Sequence, residues 1–388
     1  MTADEKPLPL HRLPFDTPGP PRRTTLPDAS PAWHFTRYDD VRAVLADDRF
    51  VRPVLPAAAA SPLSDTTDAM AKQDGSPHTR LRHAAKGVFT PRAVDHLAPA
   101  IAGIADRLVE DLVRHGPPVD LVDHYTRPLP IAVMNKLLGI HDLDDTRLLH
   151  WTERAFPDAS VTEDETAQAA REFTEFTTRL MADRRRTPGP DLISTLVQAA
   201  DREGDIPETH LANLVTTLVV AGYDTTMTML GNSLLCLLGE RRQDWARLGS
   251  DEAAADRLTE RLIHLLPLND PGKHTNPLRA TEDLEIAGAA LRAGDLVTLD
   301  RGAANRDPAA FPGDPFADLF APLEHPTLAF GGGHHYCLGA SLARAEVRLA
   351  LHRLAARLPA LRLTVPVDAV EWRGSALTRS PLHLPAAW

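Results

Sequence analysis

A single cysteine follows a glycine-rich loop near the carboxyl terminus, in Phe330-Gly331-Gly332-Gly333-His334-His335-Tyr336-Cys337-Leu338-Gly339. The residues from Ala340 onward have a helical pattern, so the thiol of Cys337 stands just before the start of a helix. Backbone N–H groups and the positive end of a helix dipole favour thiolate over thiol at such a position. A buried thiolate of this kind suits an iron ligand. The glycines would let the backbone lie flat against a planar ligand, because they lack a Cβ and accept positive φ.

Two other interpretations of Cys337 remain open on these residues. The cysteine could be a buried, inert residue in a glycine-rich turn. It could also be a nucleophile with His334 or His335 as its base, although no separate motif orients such a base. The other cysteine, Cys236, lies among leucines and is expected to be a small core residue. Two cysteines do not form a disulfide framework.

An acid and a hydroxyl lie side by side in a long apolar segment, in Ala221-Gly222-Tyr223-Asp224-Thr225-Thr226. The pattern predicts one helix over about 207–239, and Gly, Asp and Thr are poor helix formers in its middle. Thr225 is expected to hydrogen-bond the carbonyl of Ala221, four residues back, and to open or bend the helix there. Such a site could hold water against bound dioxygen. A tolerated stretch that faces solvent is the alternative.

The cysteine loop resembles the haem-ligand loop of the cytochrome P450 superfamily. Carried over position by position, Cys337 would ligate the haem iron, His335 would be the loop's basic residue, and Phe330, Gly331 and Gly339 would occupy the motif's remaining positions. Phe330 would pack beside the sulfur and keep water from it.

The acid–hydroxyl pair resembles the oxygen-activation motif on the central helix of the same family. By that resemblance Thr225 would hydrogen-bond the bound oxygen species, and Asp224 would relay protons from solvent so that the O–O bond cleaves heterolytically. The order of the two motifs and the distance between them also agree with the family.

The resemblance further implies four donors to the two haem propionates. His78 and Arg82 match a His-x-x-x-Arg motif on one helix face, Arg279 matches a strand arginine, and His335 is the fourth donor. Each cation by itself would be read as an ordinary surface residue. The similarity extends over nearly the whole chain, from about residue 30 to the end.

The family resemblance implies haem b as the cofactor and oxidation of a small organic substrate by dioxygen, in bacterial secondary metabolism. Electrons would come from NAD(P)H through a ferredoxin-type partner. The substrate pocket would include the helix before Ala221, the 268–278 loop and residues 375–377. An atypical oxidation such as coupling, cyclisation or desaturation is one alternative. A non-catalytic haem-binding protein is another, and the pair of Asp224 and Thr225 argues against it.

The chain departs from the family where a Glu-x-x-Arg motif and a meander arginine normally form an ionic network. The two helix positions fall on Arg261 and His264, and the meander position falls near 314–316, where no arginine stands. Replacement of the whole set is physically coherent, because loss of one partner alone would leave a buried charge. Glu260 and His264, four residues apart, are expected to form a substitute pair.

The elements that must position these residues are many helices and a few short strands. The pattern predicts a mainly α fold with small β-sheets. The resemblance implies the P450 fold, with haem between the long central helix and the cysteine-loop helix. Residues 1–30 are a Pro-rich segment, and 31–388 are expected to form a single haem-thiolate catalytic domain.

Composition excludes several classes of protein. The chain has 388 residues, 43% of them hydrophobic, and a net charge of −11, which argues against a nucleic-acid or anionic-membrane partner. No apolar run approaches the ~18 residues of a membrane span. The amino terminus lacks the apolar region of a signal peptide, so a cytoplasmic protein is expected.

Overall fold

The computed structural model describes residues 9–26, 28–53, 70–140, 145–155, 162–203, 206–269, 277–374 and 378–388. Over these ranges the protein is mainly helical with small sheets, as the sequence predicts. The chain divides into two compact units. The first unit comprises Met1–Val54 and Asp251–Cys337, and the second comprises Leu55–Ser250 and Leu338–Trp388. The assignment of 31–388 to a single domain stays a prediction.

Among the described residues, the longest helices lie in the second unit. The helices are α1 (Tyr38–Ala46), α2 (Gly75–Lys86), α3 (Pro91–His115), α4 (Pro128–Leu138), α5 (Asp145–Ala155), α6 (Glu163–Arg186), α7 (Leu192–Glu203), α8 (Glu208–Glu240), α9 (Arg242–Ser250), α10 (Glu252–Leu265), α11 (Arg301–Ala304) and α12 (Ala340–Arg357). The strands are β1 (Arg22–Thr25), β2 (Pro31–Phe35), β3 (Phe50–Val51), β4 (Val119–Asp120), β5 (Leu278–Ala280), β6 (Leu284–Ile286), β7 (Ala289–Leu291), β8 (Leu296–Leu299), β9 (Arg362–Leu363), β10 (Trp372–Gly374), β11 (Arg379–Pro381) and β12 (Pro385–Ala387).

The first unit is built on a mixed sheet with the strand order β1-β2-β8-β5-β3. β2 and β8 pair in parallel, with Ala32 opposite Leu296, while the other pairs are antiparallel. Apolar side chains of the sheet, including Phe35 and Val297, are buried in one cluster with Val41 of α1. This sheet therefore fixes the position of β5, which carries Arg279.

The carboxyl-terminal half of α10 lies where the family's ionic network was expected. Arg261 is buried and its Nη2 donates hydrogen bonds to the carbonyl oxygens of Ala321 and Pro322, at 3.1 and 2.9 Å. Arg257, one turn earlier, donates from Nε to the carbonyl oxygen of Phe320 at 3.0 Å. Two arginines of α10 thus hold the meander segment, residues 320–322, through its backbone carbonyls. These hydrogen bonds stand in place of the ion pair between side chains that is usual in the family.

The predicted pair of Glu260 and His264 is wrong. His264 is 2% exposed, and neither of its ring nitrogens has a hydrogen-bond partner. The ring lies against that of Phe311, with 4.4 Å between the ring centroids, because its side of α10 faces the core of the first unit. Burial, together with the positive charges of Arg261 and Arg306, lowers the pKa of His264 to about 3.

The second unit surrounds α8. This helix begins and ends within one residue of the predicted bounds, and most of its side chains are buried. It contacts α4, α5, α6, α7, α9 and α12, and the hairpin of β10 and β11 also packs on it through β11. α12 packs in turn on α3 and α9, so the helix that follows the cysteine loop is fixed from several sides.

None of the helices in the described part of the chain is both long enough and apolar enough to cross a lipid bilayer.

The buried neutral ring of His264 makes acid stability the first testable property. Unfolded, this histidine titrates near 6.5, whereas the folded protein keeps it neutral down to about pH 3. Between these values the unfolded state binds more protons, so stability is present above the unfolded pKa and falls as the pH drops. At about pH 4.5 the loss amounts to about 2–3 kcal/mol, from 1.36 kcal/mol per pKa unit.

We expect His264→Leu to remove that loss and to flatten the acid limb of unfolding free energy against pH, measured by urea titration. His96→Gln, at an exposed histidine on α3, is the control and should leave the acid limb unchanged. An acid limb of the same slope in His264→Leu and in the unaltered protein would contradict the prediction.

Candidate functional site

The loop before α12 is a series of tight turns closed by backbone hydrogen bonds. The N–H of Gly331 donates to the carbonyl of Leu328 at 2.9 Å, and that of Tyr336 donates to the carbonyl of Gly333 at 3.1 Å. The N–H of Cys337 donates to the carbonyl of Phe330 at 2.9 Å, which closes the loop. The loop is therefore held in shape by its own backbone.

Two glycines are required by this shape. Gly331 and Gly333 have φ of +71° and +59°, in the left-handed region that side chains disfavour. A Cβ on Gly333 would lie 2.0 Å from the carbonyl oxygen of Leu45, at the end of α1. The backbone of the loop is thus pressed directly against α1.

Cys337 is exposed, so its sulfur is open to a ligand. Glycines and backbone turns surround this residue, and they leave a cysteine side chain uncovered. Cys337 precedes α12 by three positions, as predicted for a thiol near a helix amino terminus. Cys236, in contrast, is buried in α8 as expected, and burial raises the pKa of its thiol to about 12.

The histidines of the loop bear on the nucleophile interpretation. His334 is exposed, and its Nε2 lies 2.8 Å from Oδ1 of Asp48. This pairing directs the ring of His334 toward α1. His335 is partly buried in the loop, where Phe330 and Tyr336 also lie with 6.3 Å between their ring centroids.

The predicted propionate donors are placed on regular elements. In the first unit Arg279 lies on β5, where it is exposed while its two neighbours in the strand are buried. In the second unit His78 and Arg82 lie one turn apart on α2, with His78 buried and Arg82 partly buried. Two cations four positions apart therefore share a helix face, as the His-x-x-x-Arg spacing predicts.

The hydrogen bond predicted within α8 is present. The hydroxyl of Thr225 donates to the carbonyl of Ala221 at 2.6 Å. The helix continues without a break through this point, so the expected opening is wrong, because the hydroxyl adds to the helical hydrogen bonds without displacing them. Ala221 is exposed and Thr225 partly so in a helix that is otherwise largely buried, which makes this stretch an accessible face of α8.

Asp224 is buried and both of its carboxylate oxygens accept hydrogen bonds. Arg373 donates from Nη1 at 3.0 Å, and the hydroxyl of Thr378 donates at 2.6 Å. The residue is 2% exposed, so the ion pair is desolvated and holds the carboxylate in one orientation. Although burial works against it, the charge of Asp224 raises the pKa of Arg373.

Sequence reasoning missed both partners of this carboxylate. Arg373 lies on β10 and Thr378 just before β11, about 150 positions from Asp224 in the chain. No spacing rule links positions so far apart. A single buried acid on an apolar helix was the available signal, because such a group requires a partner.

A further polar cluster lies beside this pair in the second unit. The hydroxyl of Tyr223 donates to Oε1 of Glu153 at 3.2 Å, and Nε of Arg127 lies 3.1 Å from the same oxygen. Arg127 also pairs with Asp123 at 2.8 Å, where both side chains reach solvent. Burial, followed by the charge of Glu153, raises the pKa of Tyr223, which therefore stays protonated.

These residues fit a haem. Cysteine thiolate is a soft ligand for haem iron, and Cys337 is uncovered at the turn into a helix. The left-handed glycines give the loop a surface without side chains. Of the segments expected to line a substrate pocket, residues 270–276 and 375–377 lie outside the described ranges.

Comparison with known proteins gives extensive similarity. The family description Cytochrome P450 matches residues 261–359. The chain is 36% identical to Nocardicin C N-oxygenase of Nocardia uniformis subsp. tsuyamanensis, over 100% of this chain and 97% of that protein. It is 37% identical to the Mycinamicin IV hydroxylase/epoxidase of Micromonospora griseorubida, over 95% of this chain and 92% of that protein.

Solved structures agree with these relatives. The LnmA cytochrome P450 hydroxylase from the leinamycin biosynthetic pathway of Streptomyces atroolivaceus S-140 superposes with a TM-score of 0.86 at 37% identity, covering 95% of this chain and 93% of that one. A cytochrome P450 with biaryl coupling reactivity superposes with a TM-score of 0.83 at 33% identity, with the same coverage. Identity above 30% over nearly the full length of the relatives shows that the chain belongs to the cytochrome P450 family, as a P450-type monooxygenase.

Proposed function

We propose that the chain binds haem b through the thiolate of Cys337 and oxidises a small organic molecule of bacterial secondary metabolism. The observation that carries this proposal is the loop itself, in which one exposed cysteine follows two left-handed glycines and precedes α12. A thiolate-bound haem supplies oxygen activation when it is present. The steps assigned to this chain are to hold that group, to exclude water and to deliver protons.

Four cations are proposed to hold the propionates, namely Arg279 and His335 in the first unit and His78 and Arg82 in the second. Charge-assisted hydrogen bonds of this type are about twice as strong as neutral ones. Phe330 is proposed to cover the sulfur from water.

Proton delivery is proposed to use Thr225 and Asp224. Thr225 holds a proton at Oγ1 on the accessible face of α8, and its bond to the carbonyl of Ala221 sets the direction of the hydroxyl. Asp224 is held by Arg373 and Thr378, so it can pass a proton only when one of these bonds opens. Glu153 and Arg127 continue the polar side chains toward solvent.

Electrons are proposed to come from NAD(P)H through a ferredoxin-type protein. Arg344 and Arg348 lie one turn apart on α12, both partly exposed, a few residues after Cys337. Ferredoxin-type proteins are typically acidic, and complementary charge speeds the encounter of two proteins.

A second candidate is an atypical oxidation on the same site, such as coupling of two aromatic rings. The similarity to a P450 with biaryl coupling reactivity favours it. The two candidates share every residue named here and differ in how the substrate is placed.

The ligand role of Cys337 is the most direct test. We expect Cys337→Ala to lose the red-displaced absorption that the reduced carbonyl adduct owes to a thiolate–iron bond. Cys236→Ala is the matched control, since it removes the buried thiol of α8 and should keep that absorption. Retention of the band in Cys337→Ala would refute the assignment.

The role of Thr225 is separable from its contribution to the helix. We expect Thr225→Ala to lower product formed per NAD(P)H consumed by roughly 10²-fold, because proton transfer by a positioned group contributes about that much. Thr217→Ala removes a hydroxyl that makes the same bond four residues back on the same helix, at 2.8 Å to Asn213, and should leave coupling unchanged. Equal effects of the two variants would assign Thr225 to helix structure alone, and unchanged coupling in Thr225→Ala would contradict its role in proton delivery.

The docking of an electron donor is tested by charge reversal. We expect Arg348→Glu to slow reduction of the protein by a ferredoxin several-fold at low salt, since rim charges act mainly on association. Reduction by dithionite should not change, and Arg362→Glu, on the exposed position of β9, serves as the control for net charge. An equal effect of both variants would contradict a specific role for α12.

A further inference from the structure

Arg301 is a cation of the first unit that none of the sequence motifs assigns. It is the first residue of α11, directly after Asp300. The carboxylate of Asp300 accepts the N–H of Ala303 at 2.8 Å and so caps the helix. In the ranges that the structure describes, no carboxylate lies within ion-pair distance of the Arg301 guanidinium. Its charge therefore has no acidic partner of its own in those ranges.

The guanidinium of Arg301 reaches the cysteine loop. Its Nη1 lies 3.5 Å from the carbonyl oxygen of Ala329, at the outer limit of a hydrogen bond. The same atom lies 3.7 Å from the position that a Cβ on Gly331 would occupy. Arg301 thus lies beside the backbone that flanks Phe330, in hydrogen-bond contact with Ala329 and near Gly331.

This contact is adjacent to the bond that closes the loop. The carbonyl of Phe330 accepts the N–H of Cys337 at 2.9 Å, so a cation beside Ala329 and Gly331 stands next to the backbone that positions the sulfur. No side chain on Gly331 intervenes, and its φ of +71° turns the loop at this point. Glycine at this position makes the turn, because its φ is positive.

The charges of Arg301 and Cys337 are close enough to interact. Arg301 is exposed to solvent, and the negative charges of Cys337 and Asp300 act on its guanidinium. An arginine remains protonated in proteins under all ordinary conditions. A permanent positive charge therefore accompanies the thiolate.

We propose that Arg301 is a positioning residue of the cysteine loop that raises the reduction potential of an iron held by Cys337. The inference rests on the proposed function, because it requires Cys337 to be the ligand. One-electron reduction makes the iron–thiolate centre more negative by one charge. With haem bound, a cation beside the loop would stabilise the reduced form more than the oxidised one. The first electron from a donor protein is then easier to accept.

The test compares midpoint potentials of the haem-loaded protein by spectroelectrochemical titration. We expect Arg301→Gln to shift the ferric–ferrous equilibrium about tenfold toward the ferric form, which for one electron is about 59 mV. Arg301→Lys keeps the charge and should retain most of the potential. Arg292→Gln removes an exposed arginine of the first unit that pairs with Asp283, and it should leave the potential unchanged.

Three results would overturn the inference. The first is an Arg301→Gln variant whose midpoint potential equals that of the unaltered protein, even if this variant loses haem more readily. The second is an equal fall in Arg292→Gln. The third is a shift of the ferric–ferrous equilibrium of Arg301→Lys toward the ferric form by tenfold or more, because the charge is then not the cause. This result decides the matter even if Arg301→Gln does not fold.

Failure of the proposed function would look different. If the reduced carbonyl adduct of the unaltered protein lacks the thiolate band, Cys337 is not the ligand and both proposals fail. If that band is present and Arg301→Gln leaves the potential unchanged, the inference on Arg301 alone fails.

Discussion

The shape of the cysteine loop depends on the close approach between its backbone and the end of α1. Gly333 lies so near the carbonyl of Leu45 that no side chain fits between them, and the left-handed conformation of the same residue turns the chain. From that contact the loop is closed by the bond between Cys337 and Phe330. These contacts set the backbone position of Cys337 within the first unit. A site fixed in this way is pre-organised, because few side-chain rotamers must be ordered when a ligand binds.

The sequence predicted features that local interactions determine. The bounds of α8 follow from one long apolar run, and the bond from Thr225 to Ala221 spans a single helical turn. His78 and Arg82 share a helix face for the same reason. Contacts between distant segments were not predictable, because no pattern in the chain pairs Asp224 with Arg373 on β10.

The missing ionic network illustrates the same limit in physical terms. Recognition that Arg261 and His264 replace the usual pair is possible from the sequence, but the replacement partners are not. Arg261 bonds carbonyl oxygens of the meander, and a carbonyl is present at every residue, so no side-chain type marks it. His264 is kept neutral, and a neutral imidazole carries a much smaller desolvation penalty than a charge. In place of the family's buried ion pair, this chain has hydrogen bonds from Arg261 to carbonyl oxygens and a buried, neutral His264. Protonation of His264 at low pH destabilises the folded state.

Asp224 and Arg301 differ in how their charges are balanced within their own units. Asp224 in the second unit is fully paired, so its charge is neutralised and its movement is restrained until Arg373 or Thr378 releases it. Arg301 in the first unit contacts only a backbone carbonyl at long distance, so its charge remains available to the ligand loop. Under the proposed function, Asp224 would carry a proton only after one of these bonds opens. The charge of Arg301 has no ion-pair partner in the described ranges, although the negative charges of Asp300 and Cys337 act on it. Proton delivery and electron acceptance can then be tuned at separate residues within one chain.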